Sequence, residues 1–313
     1  MKVAIVGAGN VGKAIFHDLQ YVNLVREITL TGRRTDPVRA EVMDARDAAV
    51  LRGTHGPKLS YGGYEATEGA DVIIYAAGSS KAKEDRMELL HDNCVIAEEV
   101  FSEIVRYNRS AVIIPVTNPL DVVTMKIQKV TGQDPRKVIG TGTLLESARL
   151  IRYVADLLEL SDRSIHMSVV GEHGTTAVAL MSSVRVMGWS LEEYLRSVTD
   201  SNLNLNVGRL NDAFKKHASR IFHGKGYTST GVSAAACRIV SAIASDSREI
   251  LPVSTVLQGR YGVRDVAVSV PCVIGRNGVE EIREVSMTPE ERAAFIASVE
   301  TIRRAALSEG ILS

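Results

Sequence analysis

Residues 3–12 read VAIVGAGNVG: four consecutive apolar residues lead into three glycines with the spacing G-x-G-x-x-G. The apolar run predicts a strand buried on both faces, and a helical stretch from Lys13 to about Leu24 follows it. In this setting the first glycine makes a tight turn, the second lets backbone approach a pyrophosphate, and the third lets the helix pack against the strand. The helix N-terminus favours the anion, although a tight turn without a ligand is the alternative. The predicted dinucleotide-binding loop consists of Gly7, Gly9, Asn10, Val11 and Gly12.

The second predicted strand, residues 27–31, ends at Gly32. Folds that bind NAD usually carry an acid at this point, about 20 residues beyond the glycines, to bind the ribose 2′-hydroxyl. This chain has glycine there and continues with Arg33 and Arg34, which could bind a 2′-phosphate. We therefore expect NADP to be favoured over NAD. Asp36 lies just beyond the turn and keeps NAD possible, and a solvated basic turn is the ordinary alternative.

Two further apolar runs, residues 71–78 and 111–117, alternate with helical stretches. This alternation predicts the α/β class, with a Rossmann-type doubly wound parallel sheet. The carboxyl ends of strands in such a sheet border the ligand-binding crevice. Ala77 and Gly78 are therefore candidate cofactor contacts, and Asn118 is a candidate contact for both cofactor and substrate. The alternative for Asn118 is a turn-forming role before proline.

The alternation ends with a further short strand at residues 138–140, so we place the dinucleotide-binding Rossmann domain at residues 1–143. We expect residues 144–313 to form an α+β domain for substrate binding and catalysis. Its predicted helices cover about 144–160, 176–187, 191–222, 231–246 and 289–308, and its predicted strands cover 165–170, 266–274 and 279–285. The last helix begins with a capping box at Thr288.

The composition excludes several classes of protein. The chain has 313 residues, 45% of them apolar, and its 37 basic residues equal its 37 acidic residues, so nothing indicates a nucleic-acid or membrane-surface partner. No apolar run reaches the roughly 18 residues that a spanning helix needs. The three cysteines are widely spaced and lack zinc-ligand spacing, which favours a reducing, cytoplasmic compartment and no metal site.

Three stretches of the sequence could carry chemistry. His173 follows an apolar strand within a Gly-Glu-His-Gly turn, where it could transfer a proton near neutral pH. Glu146 and Arg149 are three residues apart on a predicted helix and so share one face. Arg86 ends the polar stretch 79–86, which could close over a substrate as a lid. The ordinary alternatives are a surface-loop histidine, a surface salt pair and a solvated loop.

The ordered set of segments AIVGAGNVG, VTNPLD, VIGTGTLLESAR, GEHG, GKGYTS and IGRNGV resembles the L-lactate/malate dehydrogenase superfamily over essentially the whole chain. VIGTGTLLESAR, GKGYTSTGV and IGRNGV are most similar to its L-2-hydroxyisocaproate dehydrogenase branch, which handles 2-oxo acids with larger side chains. The resemblance implies reversible NAD(P)-dependent reduction of a 2-oxo acid to an L-2-hydroxy acid. It also implies a homodimer or a homotetramer.

The resemblance assigns roles to matching residues. His173 would exchange the proton, and Glu146 would orient the His173 ring. Arg149 would hold the substrate carboxylate through two parallel hydrogen bonds. Arg86 would polarise the substrate carbonyl. The remaining substrate contacts would be Asn118, Thr228 and either Ser80 or Lys81.

Departures from the family pattern leave several functions open. The family carries aspartate where this chain has Glu146, and Thr230 replaces a common tryptophan, which suggests a wider pocket. Lys81 at the selectivity position would favour a second carboxylate and therefore malate dehydrogenase, whereas Ser80 would leave room for a neutral group. L-lactate dehydrogenase is a further alternative. Outside this class we consider a nicotinamide-dependent glycosidase, which needs a metal held by Cys and His, and a non-catalytic NADP-binding sensor.

Overall fold

The fold is that of a computed structural model, which describes residues 1–52, 56–79, 86–197, 220–221 and 223–312. Its N-terminal half is one five-stranded parallel sheet in the order β3-β2-β1-β4-β5. The strands are β1 Lys2–Val6, β2 Glu27–Thr31, β3 Lys58–Gly62, β4 Val72–Tyr75 and β5 Val112–Pro115. The helices are α1 Asn10–Asp18, α2 Thr35–Arg52, α3 Arg86–Ile104 and α4 Leu120–Thr131. The predicted Rossmann-type doubly wound sheet is confirmed.

The order of this sheet positions the ligand crevice. β1 pairs with β2 on one side and with β4 on the other, so the direction of winding reverses between β1 and β4. Both faces of β1 are covered, and Val3, Ala4 and Ile5 are fully buried. Doubly wound sheets bind ligands outside the carboxyl ends of the strands at such a reversal. Here those ends carry the glycine loop after β1 and Ala76 after β4.

Three details of the N-terminal half differ from the prediction. α1 ends at Asp18 rather than near Leu24, and Leu24 itself has a φ of 71°, which no helix accommodates. β3 was not predicted, because KLSYG alternates weakly and carries a lysine and a glycine. The strand predicted at residues 138–140 is wrong as a full strand. Val138 makes only an isolated parallel bridge to β5, and Gly140 pairs antiparallel with Ser254 instead.

The C-terminal half mixes helices with small antiparallel sheets, as the α+β prediction requires. Its helices are α5 Leu144–Leu158, α6 Leu191–Ser197, α7 Thr230–Ser245 and α8 Pro289–Ser308. Three long strands, β11 Glu249–Gln258, β12 Arg264–Gly275 and β13 Gly278–Ile282, form one sheet in that order. The short strands are β6 Ile165–His166, β7 Val169–Val170, β8 Val178–Ala179, β9 Arg185–Val186 and β10 Trp189–Ser190.

Two predictions in this half are wrong within the described residues. The helix expected at 176–187 is replaced by β8, a 3₁₀ turn and β9, because a short apolar run serves a buried strand as well as a helix. The single strand expected at 165–170 is divided between two sheets, β6 with β9 and β7 with β8. β11 was missed, since Pro252 interrupts its apolar pattern. Of the helix expected at 191–222, α6 covers the start, and 198–219 lie outside the described residues.

The two halves share one hydrophobic core that extends from β1 and α1 to β11, β12 and α8. α1 packs against α7. Across that contact the hydroxyl of Ser233 donates a hydrogen bond of 2.5 Å to the Asp18 carboxylate. α4 packs against β11 and β12, which places the end of β5 beside the C-terminal half. No helix among the described residues is long and apolar enough to cross a membrane.

The glycine loop generates a stability prediction. A Cβ on Gly12 would lie 1.8 Å from the Gly7 carbonyl oxygen, whereas a Cβ on Gly9 would meet no atom within 4 Å. We expect Gly12→Ala to lower the free energy of unfolding by about 3 kcal/mol, because backbone must move. Gly9→Ala, the matched control, should cost at most about 1 kcal/mol as a change of N-cap. Urea denaturation measures both, and equal losses would contradict the packing argument.

Candidate active site

The turn at residues 171–174 holds His173 away from β7. Gly171 has a φ of 92°, and a Cβ there would lie 2.6 Å from Ser298 Oγ, so the position requires glycine. Its backbone exchanges hydrogen bonds of 2.9 and 3.1 Å with Ser269 of β12. The next residue is anchored as well, because the Glu172 N–H donates to Ser298 Oγ at 2.7 Å. The turn is therefore rigidly attached to the long sheet and to α8.

The Glu172 side chain turns away from the histidine. Its Oε2 accepts hydrogen bonds from the Thr176 hydroxyl at 2.5 Å and from the Thr176 N–H at 3.1 Å. The carboxylate therefore closes its own turn, although it is adjacent to His173 in sequence.

α5 supplies the carboxylate that faces the imidazole. Glu146 Oε2 lies 3.3 Å from His173 Nδ1, and Glu146 Oε1 lies 3.6 Å from Arg149 Nη1. The three side chains are 10–21% exposed. Neither Nδ1 nor Oε2 completes a well-aligned hydrogen bond, so the attraction between them is mainly ionic. The structure thus brings His173 to the helix face that the sequence had assigned to Glu146 and Arg149.

Burial and charge oppose each other at these groups. Burial alone would lower the pKa of His173, but the neighbouring carboxylates, Glu146 first, raise it to about 9. Burial alone would raise the pKa of Glu146, but the positive charges of His173 and Arg149 hold it below its usual value. Burial lowers the pKa of Arg149, partly offset by Glu146. The stable form at neutral pH is therefore an imidazolium beside a carboxylate.

A second carboxylate, which the sequence analysis missed, reaches the same turn. Asp121 Oδ2 accepts the backbone N–H of His173 at 2.8 Å, and Asp121 Oδ1 accepts the Ser254 hydroxyl at 2.6 Å. Asp121 is 3% exposed, and burial raises its pKa to about 6. A signal was available, because Asp121 is an acid between two apolar residues in the VTNPLD segment.

Asn118 lies exposed at the end of β5, where its peptide bond to Pro119 is cis. Its carbonyl oxygen accepts a hydrogen bond of 2.6 Å from Asn93 Nδ2, and Asn93 Oδ1 accepts the Ser79 N–H at 2.7 Å. Asn93, buried in α3, was not predicted. Asn93 connects the segments that follow β4 and β5. Because it bonds the backbone carbonyl of Asn118, the Asn118 side chain takes no part in this contact.

A cleft of about 540 Å³ opens at the carboxyl ends of β1, β2 and β4. Of the predicted cofactor residues, those lining it are Gly7, Gly9, Gly32, Arg33, Arg34, Ala77 and Gly78. Asn10, Val11 and Gly12 lie in the first turn of α1 instead, and Asn118 is outside the lining. Tyr64, Ile96 and Val100 also line the cleft, and sequence reasoning missed all three because they come from a 3₁₀ turn and from α3, far in sequence from the glycine loop.

The loop in this cleft fits a dinucleotide. A Cβ on Gly7 would lie 2.6 Å from the Ala76 backbone, so the loop packs tightly against β4. A Cβ on Gly9 would meet no atom within 4 Å. Gly9 is also the N-cap of α1, with no side-chain capping bond. Backbone N–H groups are therefore presented to an open volume at a helix N-terminus, which suits a pyrophosphate.

The other predicted substrate residues are less defined. Thr228 is half-buried, one residue before the N-cap of α7. Arg86 is the first residue of α3, and only its backbone is described. Ser80 and Lys81 lie outside the described residues. No group of three His, Cys, Asp or Glu side chains suited to a metal ion occurs in the described part of the chain.

Two family models cover the chain almost end to end. The lactate/malate dehydrogenase NAD-binding domain matches residues 1–140, and the lactate/malate dehydrogenase alpha/beta C-terminal domain matches residues 143–309. The chain belongs to the lactate/malate dehydrogenase family. It is accordingly an NAD(P)-dependent dehydrogenase that acts on the CH–OH group of 2-hydroxy acids.

Individual relatives of this dehydrogenase align over nearly their full length. An L-lactate dehydrogenase from Nitratidesulfovibrio vulgaris is 35% identical over 96% of this chain and 97% of its own. L-lactate dehydrogenase 1 of Clostridium acetobutylicum is 33% identical over 96% of each. The crystal structure of the minor L-lactate dehydrogenase from Enterococcus mundtii superposes with a TM-score of 0.92 at 31% identity, covering 98% of both chains.

The ion pair between His173 and Glu146 generates a prediction about the pKa of His173. In Glu146→Gln the burial of His173 persists while its nearest negative charge is lost, so the pKa of His173 should fall well below about 9. Asp156→Asn on the same helix removes an exposed carboxylate that pairs with Arg152 and serves as the control. NMR titration of the His173 ring protons measures the change. Equal pKa values in Glu146→Gln and wild type would show that Glu146 does not set the protonation of the ring.

Proposed function

We propose that the enzyme reversibly reduces a 2-oxo acid to an L-2-hydroxy acid, with His173 as the proton donor and Arg149 as the anchor for the substrate carboxylate. The observation that carries this proposal is the buried cluster of His173, Glu146 and Arg149, which is assembled from α5 and the turn after β7. We further propose that residues 1–143 bind the cofactor and that residues 144–313 bind substrate and transfer the proton.

Arg149 suits a planar anion. It is 12% exposed, and its buried Nε has no hydrogen-bond partner among the described residues, which leaves one edge of the guanidinium available. A carboxylate can accept two parallel hydrogen bonds from that edge, whereas a lysine could supply only a point charge. Glu146 Oε1 lies 3.6 Å from Arg149 Nη1, and its negative charge stabilises the guanidinium.

His173 would carry the proton. A bound nicotinamide cofactor supplies or accepts the hydride. In reduction, the imidazolium gives its proton to the carbonyl oxygen as negative charge develops there, and Glu146 then faces a neutral ring. In oxidation the neutral ring takes the hydroxyl proton. Since the pKa of His173 is about 9, reduction should remain supported through neutral pH and oxidation should accelerate as the pH approaches that value.

The remaining assignments rest on the resemblance to the family. Arg86 would polarise the substrate carbonyl, Asn118 would hydrogen-bond near the same oxygen, and Thr228 would line the pocket. Closure of residues 79–86 over the bound substrate would exclude water and strengthen these electrostatic interactions. Either Ser80 or Lys81 would select the substrate side chain.

The substrate side chain separates three candidate activities. We favour a side chain larger than that of lactate, as in the L-2-hydroxyisocaproate branch, because Thr230 is exposed at the start of α7 where the family commonly has tryptophan. The names of the relatives favour L-lactate dehydrogenase, and Lys81 favours malate dehydrogenase. The assembled cluster of His173, Glu146 and Arg149 argues against a non-catalytic NADP sensor.

A spectrophotometric screen at 340 nm tests the proposed reaction. It crosses NADH and NADPH with pyruvate, oxaloacetate, 2-oxoisocaproate and phenylpyruvate. We expect oxidation of the cofactor with the bulky oxo acids, and a loss of at least about 100-fold in kcat for His173→Ala with cofactor binding retained. Arg149→Lys should mainly raise the KM for the oxo acid. Preference for oxaloacetate would favour malate dehydrogenase, preference for pyruvate would favour lactate dehydrogenase, and unchanged turnover in His173→Ala would remove its role.

We propose a preference for NADP on the basis of the cleft rim. Arg33 and Arg34 are exposed and line the cleft beside Gly32. A Cβ at Gly32 would lie 3.0 Å from Val38 Cγ2, so a side chain at this position would have to shift the Val38 side chain slightly. A 2′-phosphate would therefore meet two cations and no carboxylate at position 32.

Replacing both rim arginines tests this preference. Arg33→Ala with Arg34→Ala should raise the KM for NADPH by about tenfold or more and change the KM for NADH little, since only NADPH carries the extra phosphate. Arg39→Ala removes an exposed cation of α2 that does not line the cleft and is the control. Parallel losses for the two cofactors, or a wild-type preference for NADH, would contradict the NADP assignment.

Two further properties remain proposals. A cytoplasmic location is supported by the three cysteines, all of which are free and buried. A homodimer or homotetramer is implied by the resemblance, and exposed apolar side chains at Met43, Val50 and Leu51 of α2 offer surface for self-association. Light scattering of the purified enzyme would give the number of chains directly.

A further inference from the structure

Asp121 occupies a junction of three elements. It lies in the first turn of α4, its Oδ2 accepts the His173 N–H at 2.8 Å, and its Oδ1 accepts the Ser254 hydroxyl of β11 at 2.6 Å. Asp121 is 3% exposed and Ser254 is fully buried. The contact therefore joins the N-terminal half of the chain to the turn that presents the histidine.

The burial of this carboxylate needs compensation. Among the described residues, no arginine or lysine forms an ion pair with Asp121. Isolated buried carboxylates are costly, so they persist where hydrogen bonds and a nearby positive charge stabilise them. Here two hydrogen bonds and the charge of His173 do so. Protonation of His173 therefore adds to the stabilisation that the two hydrogen bonds supply.

The charges around His173 come from three directions. α5 contributes Glu146 and Arg149, α4 contributes Asp121, and the turn itself contributes Glu172. Glu146 faces the ring, Asp121 holds the backbone, and Glu172 is bound to Thr176. Both Glu146 and Asp121 favour the imidazolium, and burial is the opposing influence.

The position of β11 places the Ser254 hydroxyl beside the Asp121 carboxylate. Ser254 exchanges backbone hydrogen bonds of 2.8 and 3.1 Å with Gly140, which follows the N-terminal sheet in the chain. A Cβ on Gly142 would lie 2.7 Å from the Ser254 nitrogen, so this crossing is closely packed. Asp121 lies three residues after Asn118 in the chain. One short segment thus carries both a proposed substrate contact and the support for the histidine.

We propose that Asp121 is a positioning residue for the proposed reaction: its carboxylate fixes the backbone of His173 and, together with Glu146, stabilises the imidazolium. The role rests on the proposed function of His173 as the proton donor. Asp121 acts through His173 and is not expected to contact substrate. The resemblance to the family had implied Glu146 alone as support for the proton donor.

Asp121→Asn tests the charge while preserving the shape. The amide oxygen can still accept the His173 N–H, and the amide nitrogen can donate to Ser254 Oγ. We expect the pKa of His173 to fall by about one pH unit, as for the loss of one nearby opposite charge. Reduction at pH 9 should then be roughly fivefold slower in kcat/KM, with near wild-type values at pH 7. NMR titration and pH profiles measure the two quantities independently.

Ser298→Ala is the matched control. It removes the hydrogen bond to the adjacent residue, Glu172, without altering the charge near His173. We expect it to change stability or kcat at all pH values and to leave the pKa of His173 in place. A purely structural role for Asp121 predicts the same pattern for Asp121→Asn, and that result would overturn the proposal.

Ser254→Ala gives a second test if Asp121→Asn does not fold. The Ser254 hydroxyl lowers the pKa of Asp121 toward its value of about 6. Its removal should therefore move to higher pH the inflection that ionisation of Asp121 produces in the NMR titration of the His173 ring protons. An inflection at its wild-type position, or none in either protein, would contradict the proposal. If the wild-type enzyme reduces no 2-oxo acid, the proposed function fails, while the NMR titration still decides whether Asp121 controls the ionisation of His173.

Discussion

The structure depends on the attraction between one imidazolium and the carboxylates packed around it. His173 is buried enough that its charge would be unfavourable alone, yet Glu146 at 3.3 Å raises its pKa to about 9. The same carboxylate reaches Arg149 at 3.6 Å, so a proton donor and an anion anchor share one counter-charge. Such a cluster is stable only if several elements converge to a fraction of an ångström, because a buried charge without its partner is strongly destabilising.

The elements that converge come from both halves of the chain. α5 carries Glu146 and Arg149, β12 and α8 anchor the turn that carries His173, and α4 carries Asp121. The parallel sheet contributes by placing the start of α4 and the cofactor loop at one edge, since carboxyl ends of parallel strands lie together. The cofactor cleft and the charged cluster are thus two consequences of one packing arrangement, in which α4 lies against β11 and β12.

Sequence reasoning succeeded where a physical pattern was local and failed where it was not. The glycine loop was recognised because strand, turn and helix are contiguous, and Glu146 with Arg149 because helical spacing places them on one face. Asp121, Asn93 and Tyr64 were missed because each acts across a long sequence separation. The segment 176–187 was assigned the wrong structure, since short apolar runs do not distinguish strand from helix.

The amino-acid sequence by itself determined the class of fold, the cofactor loop and the residues able to hold a proton and a carboxylate, because periodicity and glycine spacing are local properties of the chain. Only the tertiary structure decided that Glu146 contacts both His173 and Arg149, that Asp121 holds the histidine's backbone, and that Glu172 does neither. The physical reason is that ionisation of a buried group depends on the distance and burial of its neighbours, and these are set by how helices and sheets pack.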